Sequence, residues 1–301
     1  MLSVVVCTLN RHKHLADCLA ALGQQTASAA DFEVLVVDNG STDETAIVAK
    51  AWASGAGNRK YIHEPVMGLS KARNTGLREC SGDLVAYTDD DARATPAWVS
   101  GIIARFDQLP PTFAALGGEI DPVFESPRPG WLTDGMLHNY SVSLRWSEVP
   151  RTLAAHEWIC EANCAYRTEI LRRYGGFPER LGRQGAALLS GENFVNELMR
   201  KDGLQFYFDP TIRVDHLIPS SRLTKAWMRR RYFWGGVTAA LLPAAAAERG
   251  FTHDRYPSVR PPLTPEEWVR MLDDSDEGFE LSCARLSEVG YLLGTADAVV
   301  G

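Results

Sequence analysis

Residues 84–91 read Leu84-Val85-Ala86-Tyr87-Thr88-Asp89-Asp90-Asp91, an apolar run of strand length that stops on three carboxylates. A strand closed in this way carries its carboxylates to the carboxyl edge of a sheet, where open α/β folds bind their ligands. Successive strand residues face opposite ways, so Asp89 and Asp91 are expected on one side and Asp90 on the other. Two hard oxygen ligands aimed at one point suit Mg²⁺ or Mn²⁺, ions held by a few carboxylates together with substrate phosphates. A solvated acidic turn would have the same composition, and what precedes the triplet argues against it.

Upstream, Leu2–Thr8 is an apolar run fit for a buried strand, followed by Asn10-Arg11 and a helical pattern through Leu15, Leu19 and Leu22. A second such run, Phe32–Val37, ends in Asp38-Asn39-Gly40-Ser41-Thr42-Asp43. There Gly40 supplies a turn and Ser41 or Thr42 is expected to cap the next helix. Gly68-Leu-Ser-Lys71-Ala-Arg73-Asn74-Thr-Gly76 then places two cations near a helix start, just before the aspartate strand. Strands alternating with helices, each strand ending in polar or acidic groups, indicate a parallel sheet with one ligand-binding edge.

Seven stretches, in order and spacing, resemble family 2 glycosyltransferases of the GT-A fold. They are SVVVCTLNR (Ser3–Arg11), VLVVDNGSTDET (Val34–Thr45), GLSKARNTGL (Gly68–Leu77) and GDLVAYTDDDARATPAWV (Gly82–Val99), then CEANCAYRTEILRRYGGF (Cys160–Phe177), SGENFVNEL (Ser190–Leu198) and YFDPTIRVDH (Tyr207–His216). The resemblance covers residues 1–235 and weakens beyond Trp234-Gly235-Gly236. It implies a Rossmann-like, mostly parallel central sheet flanked by helices, with a nucleotide-binding half (1–121), an acceptor and catalytic half (122–235) and a helical C-terminal extension (236–301).

The resemblance also distributes roles. Asp91 is the expected metal ligand, with Asp89 on the ribose or the metal, and His216 completing the site. Imidazole suits Mn²⁺ better than Mg²⁺; an ordinary strand-end histidine is the other reading. Asp38 would accept from a uracil N–H, with Thr8, Asn10, Arg11, Asn39 and Asp90 also around the donor. Thr8 and Asn10 would equally serve as plain turn residues. Arg73 and Lys71 would face ribose and diphosphate, Arg73 foremost because its fork binds phosphate through two donors. An inverting reaction needs a base, which the family takes from an acidic pair opening a helix. Here the pair reads Glu192-Asn193; an amide cannot accept the proton, so Glu192 is the candidate, against a merely dipole-stabilised carboxylate. Glu197 falls on another helix face. Glu161 and Asn163 are expected near donor sugar or acceptor, and Trp131 and Trp158 either stack on a sugar or are core.

At 301 residues with formal net charge −7, the chain fits one large α/β domain plus an appendage and does not suit general nucleic-acid binding. No stretch has the uninterrupted apolar length of a membrane span, no charged leader precedes the first run, and the six cysteines show no C-x-x-C pair. Cys160 and Cys164 lack further zinc ligands. A cytoplasmic location with reduced thiols is expected. One local inversion of charge stands out: Arg222, Lys225, Arg229, Arg230 and Arg231, interleaved with Trp227, Tyr232, Phe233 and Trp234. It suits a phosphate-bearing acceptor or a peripheral contact with an anionic membrane; alternatively it meets solvent and the tail acids Asp273, Asp274 and Asp276. Residues 122–157, rich in proline and tryptophan, read as a long loop. Ala239–Ala247 reads as a helix interrupted at Pro243, and Arg249–Pro265 as a break before an acidic, amphipathic helical tail.

The function expected is a metal-dependent inverting glycosyltransferase (hexosyl- or N-acetylhexosaminyl-) using a nucleotide sugar, UDP foremost. The acceptor would be a glycan, a lipid-linked carrier, a protein or a small natural product. A non-catalytic nucleotide-sugar-binding protein is the alternative, favoured by Asn193. A sugar nucleotidyltransferase ranks third, because Thr8-Leu9-Asn10-Arg11 is no glycine-rich, basic phosphate loop.

Overall fold

A computed structural model describes residues 1–142, 145–252, 264–272 and 275–295, without the side chains of Glu192, Asn193 and Leu272. The first half runs β1 (Leu2–Thr8), α1 (His12–Leu22), β2 (Phe32–Asp38), α2 (Thr45–Ala53), β3 (Arg59–His63), α3 (Leu69–Glu79), β4 (Leu84–Asp89), β5 (Ala92–Ala94), α4 (Trp98–Gln108) and β6 (Phe113–Phe124). A 3₁₀ turn (Asp134–Tyr140), β7 (Arg151–Thr152), β8 (Asn163–Arg167), α5 (Thr168–Arg173), α6 (Glu192–Lys201) and β9 (Gln205–Ile218) follow. A short 3₁₀ turn (Ser220–Arg222) leads to α7 (Lys225–Ala247), α8 (Pro265–Leu272) and α9 (Asp276–Thr295).

The strands form one sheet in the order β3-β2-β1-β4-β8-β6-β9-β5, with β7 on β9. Its first four strands are parallel. Beyond them the expected mostly parallel sheet becomes mixed: β8 is antiparallel to β4 and β6, while β6 and β9 are parallel to each other. After β4 the chain turns directly into β5, and β6, β7 and β8 follow one another without an α-helix, so strict alternation no longer obliges strands to share a direction. Helices cover both faces of the parallel half, which is why β1 and β2 are mainly apolar without alternation. Val4 and Val6 pack with Leu15 and Leu19 of α1 in one core cluster. Val5, Leu35 and Val37 pack with Ala72 and Leu77 of α3 in the other. At Gly76 the helix lies so close to β1 that a Cβ would overlap Val5.

Gly40 makes the expected turn at φ +82°. The N-cap of α2 is Glu44, without a side-chain cap bond, and not Ser41 or Thr42; one residue before it Asp43 Oδ1 accepts from the Thr45 N–H at 2.9 Å, while Ser41 Oγ accepts from the Asn10 N–H. The 122–157 segment is more regular than expected, taking in the end of β6, a 3₁₀ turn and β7. Helix α7 runs through Pro243 without a break and through the division expected after residue 235. The tail helix α9 lies along it, so close that a Cβ on Gly236 would overlap the Ser287 backbone and one on Gly290 the Phe233 backbone. All six cysteines are free thiols. No helix among the described residues is long and apolar enough to cross a membrane.

Candidate active site

The aspartates sit where β4 turns into β5. Asp90 and Asp91 form that turn, so the side shared by Asp89 and Asp91 comes from the turn and not from strand alternation alone. β5 pairs antiparallel with β9, setting Ala92 opposite His216, and the Leu217 N–H donates to the Asp91 carbonyl at 2.9 Å. This short pairing swings the histidine against the carboxylates from 125 residues away. His216 Nε2 lies 3.1 Å from Asp91 Oδ1 and 3.5 Å from Asp89 Oδ2. Neither ring nitrogen has an aligned hydrogen bond, although His216 is only 2% exposed. One ligand atom from each of Asp89, Asp91 and His216 falls within 4.8 Å of the others. Two carboxylates and an imidazole converging in this way fit a divalent cation such as Mn²⁺.

Asp90 turns the other way, accepting from Thr8 Oγ1 at 2.8 Å. Arg11 braces the turn, with its guanidinium 2.6 Å from Asp91 Oδ2 and 3.4 Å from Asp90 Oδ1. Arg73, buried on α3, stands 3.7 Å from Asp89, and Arg222 stands 3.7 Å from Asp91. Burial works against ionising Asp89, but His216 and Arg73 hold its carboxyl below the ordinary value. Asp91 is held well below it, burial being overcome by His216, Arg11 and Arg222. Burial pushes Asp90 up to about 7, with Arg11 opposing. For His216 burial pulls downward, yet Asp91 and Asp89 win and raise it to about 9. The two carboxylates thus favour positive charge at this point, the charge a metal cation would supply.

A cavity of about 220 Å³ opens on this edge, lined by Thr8, Arg11, Asn39, Arg73, the three aspartates and His216. Tyr140, Ser141, Cys160 and Arg183 also line it, and none of these four was expected as a site residue. Arg183 had a faint signal, a cation between the turn glycines Gly182 and Gly185, both of which adopt positive φ.

Several expected site residues do other work. Asn10 does not line the cavity; its Oδ1 accepts from the Thr42 and Asp43 N–H groups and pins the loop before α2. Asp38 is buried, accepting from the Ser41 N–H and the Tyr61 hydroxyl, both at 2.9 Å. Asn39 reaches the cavity while its amide holds the 64–68 loop. Lys71 points away, its Nζ 3.6 Å from Glu179. Asn163 is enclosed by protein: Trp98 Nε1 donates to its Oδ1 at 2.7 Å, and its Nδ2 donates to Glu119 and Ile212 carbonyls, both at 2.8 Å. Trp131 packs edge-on against Phe279 of α9, and Trp158 against Trp146, so neither ring lines the cavity. Glu161 is buried with Oε1 accepting from the Tyr166 hydroxyl at 3.2 Å. Glu192 opens α6, and its side chain and that of Asn193 lie outside what the structure describes.

The basic cluster is divided. Arg222 alone turns into the cavity. Lys225 lies 3.6 Å from Asp276, and Arg229 donates to Ser282 Oγ of α9. Arg230 donates to the Ala186 carbonyl, and Arg231 to the Leu188 carbonyl and Ser190 Oγ. Asp273 and Asp274 lie outside the described residues. Most of the cluster thus makes contacts within the protein.

The family profile described as "Glycosyl transferase family 2" matches residues 3–178. A glucosyl-dolichyl phosphate glucuronosyltransferase of Haloferax volcanii is 22% identical over 249 residues, 80% of this chain and 76% of that protein. Glycosyltransferase AglE of the same organism is 27% identical over 60% of this chain and 56% of its own length. A validoxylamine A glucosyltransferase of Streptomyces hygroscopicus subsp. limoneus is 36% identical over 39% of this chain, which spans only 26% of that relative. Among solved structures, mannosyltransferase PcManGT from Pyrobaculum calidifontis, in complex with GDP-Man and Mn²⁺, aligns over 99% of this chain and 74% of its own with TM-score 0.59 at 20% identity. TarS 1–349 of S. aureus, in complex with UDP, aligns over 98% of this chain and 90% of its own with TM-score 0.56 at 18% identity. The structural likenesses are likenesses of fold, the GT-A arrangement of a central sheet flanked by helices.

Proposed function

Since the chain belongs to glycosyl transferase family 2, we propose that it moves a sugar from a nucleotide-sugar donor with inversion, aided by a divalent cation held by Asp89, Asp91 and His216. The convergence of those three ligand atoms beside buried Arg73 at the edge of the parallel strands carries this reading. A bound Mn²⁺ or Mg²⁺ would supply Lewis-acid stabilisation of the charge on the diphosphate. Arg11 braces Asp91 at the cation site, while Thr8 holds Asp90 turned away from it. Glu192, at the opening of α6, is the base that takes the acceptor proton. The relatives support a nucleotide-sugar donor without choosing its base, since PcManGT is in complex with GDP-Man and TarS with UDP. UDP remains our choice, on the resemblance of the Val34–Thr45 stretch. By their names, the relatives' acceptors run from a lipid-linked glucose to validoxylamine A. We assign that choice to residues 122–235.

The test is donor hydrolysis and transfer across UDP-, GDP- and TDP-sugars with Mn²⁺. Asp91→Ala or excess chelator is expected to abolish turnover; full transfer in chelator rejects the metal. Glu192→Gln keeps size and polarity but cannot accept a proton. It should retain donor affinity while transfer falls roughly 10²–10⁴-fold. Tight donor binding by a wild type that transfers nothing would favour the binding-protein reading, which the amide at Asn193 supports.

A further inference from the structure

We propose that Arg183 and Arg222 form an anion subsite in the cavity wall, holding phosphoryl oxygens beside the Asp91 carboxylate. Both side chains line the cavity, yet neither guanidinium donates a hydrogen bond to any described residue. Arg222 comes within 3.7 Å of Asp91 Oδ2, beyond hydrogen-bond reach, and that oxygen already has Arg11 at 2.6 Å. The Arg222 side chain is nonetheless only 16% exposed. A largely buried guanidinium whose donors open only into the cavity gains from an anion placed there.

The two arms are fixed by their backbones. Arg222 ends the 3₁₀ turn that follows β9, and its carbonyl accepts from the Tyr140 hydroxyl at 3.0 Å. The Arg183 carbonyl accepts from the Leu69 N–H at 3.0 Å, and the Leu181 carbonyl from Ser70 Oγ at 2.6 Å. The Arg183 loop is thus tied to the first turn of α3, the helix that carries Arg73. Other arginines of the region have their acceptors: Arg229 has Ser282, and Arg231 has Leu188 and Ser190. Two anchored forks with open donors facing one cavity suit a tetrahedral oxyanion, since guanidinium geometry matches phosphate through paired bonds. The cavity, about 220 Å³, lies below the roughly 300–1,000 Å³ usual for whole small-molecule pockets. A phosphoryl group fits within that volume.

The glycosyltransferase reading enters only in naming what brings the phosphate: the diphosphate of the donor, or a phosphate on the acceptor. Pyrophosphate with Mn²⁺ is titrated calorimetrically into wild type, Arg183→Met and Arg222→Met, with melting temperatures confirming the fold. If the donor diphosphate is the ligand, each Met variant weakens pyrophosphate roughly ten- to hundred-fold. Arg222→Lys should recover part of the loss, because lysine keeps the charge but not the fork. If the phosphate belongs to the acceptor, pyrophosphate affinity holds. Inorganic phosphate then binds the UDP–Mn²⁺ complex of wild type and not that of Arg222→Met. Unchanged affinity for both probes in folded variants overturns the subsite. Pyrophosphate has neither base nor sugar, so its loss in the variants of a protein that transfers nothing would keep the subsite and reject the glycosyltransferase activity.

Discussion

Asn163 uses its carbonyl and both amide hydrogens inside the protein, joining Trp98 of α4 to the Glu119 and Ile212 carbonyls. Asn163→Ala leaves the Trp98 indole without its acceptor and two buried carbonyls without their donor, a cost of about 3 kcal/mol. The melting temperature should drop roughly 5–10 °C, while donor affinity per folded molecule holds; a lost affinity with an unchanged melting temperature would return Asn163 to the sugar. Before folding, an amide opening a strand reads the same whether it will face a sugar or an indole. What encloses Asn163 is contributed by Gly118, where a Cβ would collide with its amide, some 45 residues away in the chain. Asp38 and Asn10 are alike in this: their chemistry is visible in sequence, whereas the partners that occupy them arrive from neighbouring loops. Asp89, Asp91 and His216 were easier to bring together on paper, because strand-end acids and a strand-end histidine share an edge by topology. Arg183 was hidden because its cavity position depends on two glycine turns.

Glu33 interrupts the apolar run of β2, and the surrounding elements explain it. Its carboxylate accepts from Ser3 of β1 at 2.7 Å and from Ser81, and pairs with Lys60 of β3 at 2.7 Å. Burial would raise its pKa, but these partners outweigh burial and lower it to about 2. A depressed native value means that the tie stabilises the sheet above about pH 4.5, the ordinary carboxyl value, and is lost as pH falls toward 2. Glu33→Gln should therefore cost about 2 kcal/mol in urea unfolding at pH 7, with the gap to wild type narrowing below pH 4.5; a gap that widens in acid would refute the tie. At this scale β1, β2 and β4 were legible, since strands covered on both faces are apolar without alternation. β5 and β7, of three and two residues, carry no pattern. α7 continues past Pro243, with Ala245 and Ala246 buried in the core cluster that holds Phe177 and Phe194, which no local reading reveals.

Over the whole molecule the cysteines are single, with Cys18, Cys80, Cys164 and Cys283 buried and only Cys7 and Cys160 half-buried. Burial leads the forces that push the Cys7 thiol up to about 12, so even that one is a poor nucleophile. Thiol titration should find all six in denaturant and roughly two or fewer, reacting slowly, in native protein. Reductant should leave the melting temperature unchanged, and a drop on reduction would reveal a disulfide. The α/β half is the legible half, and the region beyond Asp91 is less so, because its strands reverse direction. The close crossing of α7 and α9 has a consequence for substitution. Along α9 the side chains of Val289, Leu292 and Leu293 are exposed. At Gly236 and Gly290 the two backbones touch, and no side chain larger than hydrogen can be tried without parting the helices. A change on the outside of the tail leaves its path as it is, whereas one at either glycine displaces α9 from α7.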